Sequence, residues 1–193
     1  MVQLRDATDS SIVVAEQSAL LQRDGDVVGT DGVSPLSFTQ DAGDYFIAVE
    51  HRNHLGILSA NAIALSNAPT VIDFTTDLAV TQGGINALVA IREGVFAMVA
   101  GDFDENGQVQ PSDVSQTTAL IGTASYSNAD MDMNGQIQPA DVNNLVNPNV
   151  GRGVQLLARS TFFTAKSKGA LEQIEFIYAP KVPAPNKQAA TGR

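Results

Sequence analysis

The chain has 193 residues, 21 acidic and 11 basic side chains, two histidines and no cysteine, so disulfide staples and thiolate metal sites are excluded. Residues 1–150 carry 19 acids against four bases, and residues 151–193 carry seven bases against two acids, so an acidic body near −15 precedes a basic end near +5. That balance argues against nucleic acid as a partner, and no apolar run reaches membrane-spanning length, which argues against membrane insertion.

The length suits one ordinary domain or two small ones, and a hydrophobic content of 44% supports a real core. The opening residues Met1-Val2-Gln3-Leu4-Arg5-Asp6 lack the apolar stretch of a signal peptide, so an exported protein would be present here in processed or trimmed form.

Residues 1–80 read as strands and turns. Ile12-Val13-Val14 and Ala19-Leu20-Leu21 favour strand, and Asp24-Gly25 is a short-hairpin signal. Val27-Val28 and Val33 to Phe38 flank a second turn at Asp31-Gly32. Gly43-Asp44 leads into Tyr45 to His51, a nearly continuous apolar run that suits a buried strand. Gly56 to Leu65 and Thr70 to Thr76 add two more. Six or seven short strands without a long helix predict a β-sandwich over 1–100. The stretch from Gly43 to Gly56 looks like a late strand of transthyretin-like or immunoglobulin-like modules in bacterial surface proteins. Ile85 to Val99 reads as two short strands around Glu93-Gly94, or as a strand after a turn of helix.

Two twelve-residue segments then repeat 28 residues apart. The first is Asp102-Phe103-Asp104-Glu105-Asn106-Gly107-Gln108-Val109-Gln110-Pro111-Ser112-Asp113. The second is Asp130-Met131-Asp132-Met133-Asn134-Gly135-Gln136-Ile137-Gln138-Pro139-Ala140-Asp141. Side-chain oxygens recur at positions 1, 3, 5 and 12, with glycine at 6 and a branched apolar residue at 8. Oxygens at that spacing wrap a hard cation, position 7 adds its carbonyl, and glycine permits the sharp turn. Two calcium sites are expected. Aspartate at position 12 is shorter than the usual glutamate, and the run Val95 to Ala100 has no amphipathic helical pattern. A loop followed by a helix, with no helix before it, is therefore predicted.

The pair resembles the duplicated calcium repeat of dockerin modules over 101–151. It also resembles, with the β-rich region ahead of it, dockerin-bearing secreted proteins of the Bacteroidota. Carried over by position, the resemblance implies Asp102, Asp104, Asn106, the Gln108 carbonyl and Asp113 as ligands of one ion. Asp130, Asp132, Asn134, the Gln136 carbonyl and Asp141 would hold the other. It further implies a loop–helix pair packed with pseudo-twofold symmetry and a cohesin-like protein partner. Cohesin-binding dockerins usually carry hydroxyl or aliphatic pairs at positions 10 and 11, then basic residues. This chain has Pro111-Ser112 and Pro139-Ala140 there, followed by polar segments with no lysine or arginine, which counts against cohesin. Asn147-Pro148 should cut the second helix short.

Past the repeats, residues 152–180 read as terminal strands, over 154–165 and 170–179, that complete a sheet or contact a neighbour. Residues 181–193 read as a flexible tail. His51 and His54 form an H-x-x-H pair whose rings, on a strand, would point to opposite faces; a strand-end pair is preferred over zinc, which wants four ligands. Asp24, Asp26 and Asp31 lack an oxygen at the fifth position of a third calcium turn, so a hairpin is preferred. No serine-nucleophile elbow, zinc-protease motif or phosphate-cradling glycine loop occurs, so no enzyme is expected. The function expected is a non-catalytic, extracellular or cell-surface calcium-binding structural protein, an adhesin segment or self-assembling fibre subunit. The homo-oligomer or polymer would form through the terminal strands and basic tail. Alternatives are a dockerin-type adaptor for a cohesin-like partner and an accessory carbohydrate-binding domain of a secreted hydrolase, the latter disfavoured by the absence of tryptophan.

Overall fold

A computed structural model describes residues 1–154 and the backbone of one further strand, Leu171–Ile177. The described residues are mainly β. Nine strands precede Leu78: β1 (Val2–Asp6), β2 (Val13–Gln17), β3 (Leu20–Leu21), β4 (Asp26–Val28), β5 (Leu36–Phe38), β6 (Gly43–Val49), β7 (Ile57–Leu58), β8 (Ile63–Leu65) and β9 (Thr70–Asp73). The Asp24-Gly25 turn joins β3 to β4, with Gly25 at φ 96°, a conformation glycine adopts at no steric cost.

One sheet has the order β2-β1-β6-β7, and β8 pairs with β6 as well. The β7 and β8 strands take successive stretches of one β6 edge, Ala48–Val49 and Gly43–Tyr45. The expected single strand over Gly56 to Leu65 is thus two. Between them Ser59 accepts the Ile47 amide at 3.0 Å and donates to the Asn61 carbonyl at 2.8 Å, which satisfies the backbone where the strand breaks. The second sheet contains β3, β4, β5, β9 and the strand Leu171–Ile177, here β12. The β12 strand runs antiparallel to β4 and β5 and parallel to β9. The other pairings among described strands are antiparallel.

Alternation puts Val2, Leu4, Ile47, Val49, Ile57 and Leu65 of the first sheet into the same buried cluster as Val27, Leu36, Phe38 and Ile72 of the second. The central β1 strand is buried on its other face too. There the Arg5 guanidinium donates twice to Gln3 Oε1, at 2.8 and 3.1 Å, and lies 3.7 Å from Glu50. Two short 3-10 turns, Leu78–Val80 and Gly84–Asn86, lead into the hairpin of β10 (Leu88–Arg92) and β11 (Val95–Met98), which closes at Glu93-Gly94.

The β11 strand leads straight into the first repeat, and α1 (Pro111–Ala119) leaves it. The second repeat leads into a wider π-type turn, Asp141–Val146, and then a 3-10 turn, Asn147–Asn149. Proline at 148 has no N–H to continue the ladder. The Asn149 side chain substitutes, donating to the Leu145 carbonyl at 2.8 Å and to Ala100 at 2.9 Å. The strand expected over 154–165 and the tail 181–193 lie outside the described residues.

Candidate metal centre

Both repeats fold into the same loop, with the same set of backbone amides bonded to the same side chains. Asp102 Oδ1 and Oδ2 accept the Asn106 and Gly107 amides, each at 3.0 Å; Asp130 accepts those of Asn134 and Gly135 at 3.0 and 2.9 Å. Asp104 and Asp132 each accept the position-5 amide, at 3.3 and 3.1 Å. Asn106 Oδ1 accepts the Gln108 amide at 2.9 Å, and Asn134 Oδ1 accepts that of Gln136 at 2.8 Å. At position 12, Asp113 accepts Phe103 N at 2.9 Å through one oxygen and Gln110 N at 2.7 Å through the other. Asp141 does the same with Met131 N at 2.9 Å and Gln138 N at 2.8 Å. The short position-12 side chain therefore sits inside the loop and bonds both its beginning and its end.

Turning the chain this tightly requires left-handed backbone. Gly107 and Gly135 have φ of 83° and 88°, and position 4 is left-handed too, Glu105 at 59° and Met133 at 58°. Non-glycine residues hold that conformation only when the surroundings impose it.

The consequence is two clusters of carboxylates. One oxygen each from Asp102, Asp104 and Asp113 lies within 4.8 Å of the others, and the same holds for Asp130, Asp132 and Asp141; either set could hold a metal ion. The first and last residue of each triad are buried and the middle one is exposed. Burial pushes the Asp102 carboxyl up to about 6, with Asp113 and Asp104 adding repulsion and the Gly107 and Asn106 amides opposing it. Burial likewise raises Asp132. A carboxylate oxygen has two lone pairs; the position-12 Oδ1 of each loop accepts two amides, from positions 2 and 3, whereas Oδ2 accepts one and keeps a lone pair for a cation. The donor set that the structure brings together in each loop is three carboxylates, while the Asn106 and Asn134 side-chain oxygens each take the position-7 amide. Hard divalent cations fit such a set, and calcium takes 6–8 oxygen ligands.

The loops are not free-standing. Val109, at position 8 of the first, donates to Arg152 O at 2.9 Å and accepts from Gly151 N at 2.8 Å. Ile137, its counterpart, donates to Thr123 O at 3.0 Å and accepts from Gly122 N at 2.9 Å. Each loop thus pairs with the turn beyond the other repeat's helical segment. A second apolar cluster of Leu55, Val99, Val109, Met131 and Val146 packs the repeats against the β-rich region. Arg52 lies 4.0 Å over the Tyr126 ring.

The histidines lie just past a strand end, with their rings together rather than on opposite faces. The chain leaves β6 at Val49, so His51 and His54 do not share a strand. Their rings meet edge-on at 4.8 Å between centroids, with the Nδ1 atoms 3.1 Å apart. Burial lowers their pKa values, to about 4 for His51 and about 3 for His54, with Arg52 and, for His54, His51 lowering them further. Of the aspartates weighed as a third turn, Asp31 accepts the Val33 and Ser34 amides of its own turn at 3.1 and 2.9 Å. Three asparagines that tie the loops into the fold, Asn53, Asn128 and Asn149, carry no motif by which sequence alone would have found them.

No protein-family model, curated protein or solved structure matches the chain. The functional reading therefore rests on the loops themselves.

Proposed function

We propose that the chain binds two calcium ions, one in each loop, and serves as a non-catalytic structural protein outside the cell. The observation that carries this reading is the duplication of one hydrogen-bond set around two carboxylate triads. Neither a chance acidic turn nor a purely structural cap requires the same ten-residue closure twice. Calcium is favoured over magnesium because each loop offers at least five protein oxygens, whereas magnesium keeps several waters in a strict octahedron. In this reading the β-rich region is a sandwich and residues 101–151 are a dockerin-like module. The two ions neutralise most of the charge on six aspartates. Metal that binds only the folded form stabilises it by about 2.7 kcal/mol per site at a hundredfold excess over Kd.

Extracellular calcium is abundant enough for sites with Kd of about 10⁻⁴ to 10⁻³ M, which is the basis for placing the protein at a cell surface. Isothermal titration calorimetry should give two calcium equivalents and thermal melts a higher Tm in calcium than in chelator. Asp104→Ala and Asp132→Ala should each remove one equivalent. A stoichiometry of zero, with identical melts in calcium and chelator, would refute the assignment.

A further inference from the structure

One residue of the β-rich region touches the first ligand of both loops. Asn53 is fully buried, and its main-chain carbonyl accepts Gly101 N at 3.0 Å and Asp102 N at 3.2 Å, at the start of the first loop. Its side-chain Nδ2 donates to Asn128 O at 3.0 Å and Asp130 O at 2.9 Å, at the start of the second. Both Nδ2 hydrogens are therefore committed to carbonyls, which leaves Oδ1 as the atom 2.8 Å from His54 Nδ1. A carbonyl-type oxygen only accepts, so His54 carries its proton on Nδ1. His51 Nδ1, 3.1 Å away, is then also an acceptor. The two carbonyls thus fix which way the Asn53 amide faces, and the amide in turn sets the His54 tautomer. Asn128 closes the circuit by donating to Phe103 O and to Glu105 Oε1, each at 3.0 Å, back in the first loop.

We infer that Asn53 is the positioning residue that couples the two calcium sites to each other and to the β-rich region, so that they fill cooperatively. This rests on the calcium reading above. Ordering the first loop around an ion fixes the Gly101–Asp102 backbone, and with it the Asn53 carbonyl. The amide of the same residue then presents the Asp130 backbone already in place, so the second ion meets a loop whose ordering cost is reduced. The two arms are chemically separable. Any residue at 53 keeps the main-chain carbonyl, so Asn53→Ala leaves the arm to the first loop in place and removes the side-chain bonds to Asn128, Asp130 and His54.

The test is a calcium titration of the full chain followed by NMR, reading the Gly107 and Gly135 amides as separate reporters. In the wild type the two reporters should titrate together and more steeply than one-site binding. In Asn53→Ala both transitions should become less steep, with Gly135, whose loop loses its direct bond, moving to higher calcium by about five- to tenfold and Gly107 by less. Asn128→Ala, which removes the side-chain bonds to Phe103 and Glu105 of the first loop and leaves the β-rich core untouched, should separate the transitions in the opposite sense, with Gly107 moving to higher calcium, and covers the case in which Asn53→Ala fails to fold. Superimposable, one-site curves in the wild type, or joint titration retained in both variants, would overturn the coupling while leaving calcium binding intact. No response of either glycine in the wild type would instead remove the calcium reading on which the coupling rests.

Discussion

His51 and His54 show how a residue pair can be structural while looking like a site. Burial holds both imidazoles neutral, with pKa values lowered from 6.5 to about 4 and about 3. A base whose pKa is depressed in the fold contributes stability above its unfolded pKa, and that contribution is lost as pH falls through the folded value. Acidification from about pH 6.5 to about pH 4 should therefore lower Tm progressively through this pair. His54→Asn removes one of the two titrating groups and should flatten the Tm–pH slope over that window, at some loss of stability at neutral pH. An unchanged slope in the variant would show that other groups govern the acid limb.

At the scale of elements, the two loops share their amide-to-side-chain bonds and are unequal in packing. A Cβ at Gly135 would meet nothing within 4 Å, while one at Gly107 would meet Val154 Cγ1 at 2.8 Å. Gly135→Ala should cost about 1–2 kcal/mol, the price of left-handed backbone for a residue with a Cβ. Gly107→Ala carries that same strain and also drives Val154 off the loop, so it should cost more by chemical denaturation. Trimming the neighbour should recover part of the difference, making Gly107→Ala with Val154→Ala less damaging than the sum of the singles. Equal costs for the two glycines would mean that Val154 yields freely.

The loops were legible in the sequence because each bond uses residues within one twelve-residue window. Asp at position 12 bonding back to positions 2 and 9 is short-range geometry that spacing encodes. The partners of Val109 and Ile137 were not legible, because each lies beyond the opposite repeat. Nor was β1 singled out as a strand: Val2-Gln3-Leu4-Arg5 alternates over too few residues, and its buried Arg5 mimics an exposed position. Only the fold supplies Gln3 and Glu50 to that guanidinium. The parallel register of β12 on β9 joins residues about a hundred positions apart, and no local pattern announces it.

Taken as a whole, the sequence divides its charge unevenly, and calcium would change that balance. The acidic body near −15 and the basic end near +5 favour contact between the end of one copy and the body of the next. Two divalent ions would take the body to about −11. Attraction between body and basic end scales with the body charge and falls by about a quarter, whereas repulsion between two bodies scales with its square and falls by nearly half, to roughly 0.54 of its former value. Calcium should therefore promote association even though it weakens each attractive contact. The β12 strand already has partners inside the chain, β4 and β5 antiparallel and β9 parallel, so the association expected here is electrostatic rather than addition of that strand to a neighbour. Light scattering at low ionic strength should give masses above the 20.3 kDa monomer in calcium, returning toward it in chelator. Added salt of about 0.5 M should dissociate the assemblies, because surface charges then act over only a few ångströms. Lys181→Glu combined with Lys187→Glu should suppress them at low salt without changing the calcium stoichiometry. A monomer under every condition would leave a calcium-stabilised binding module. Assemblies that persist in salt and in the lysine variant would point to a packed apolar interface in place of the charge-driven one.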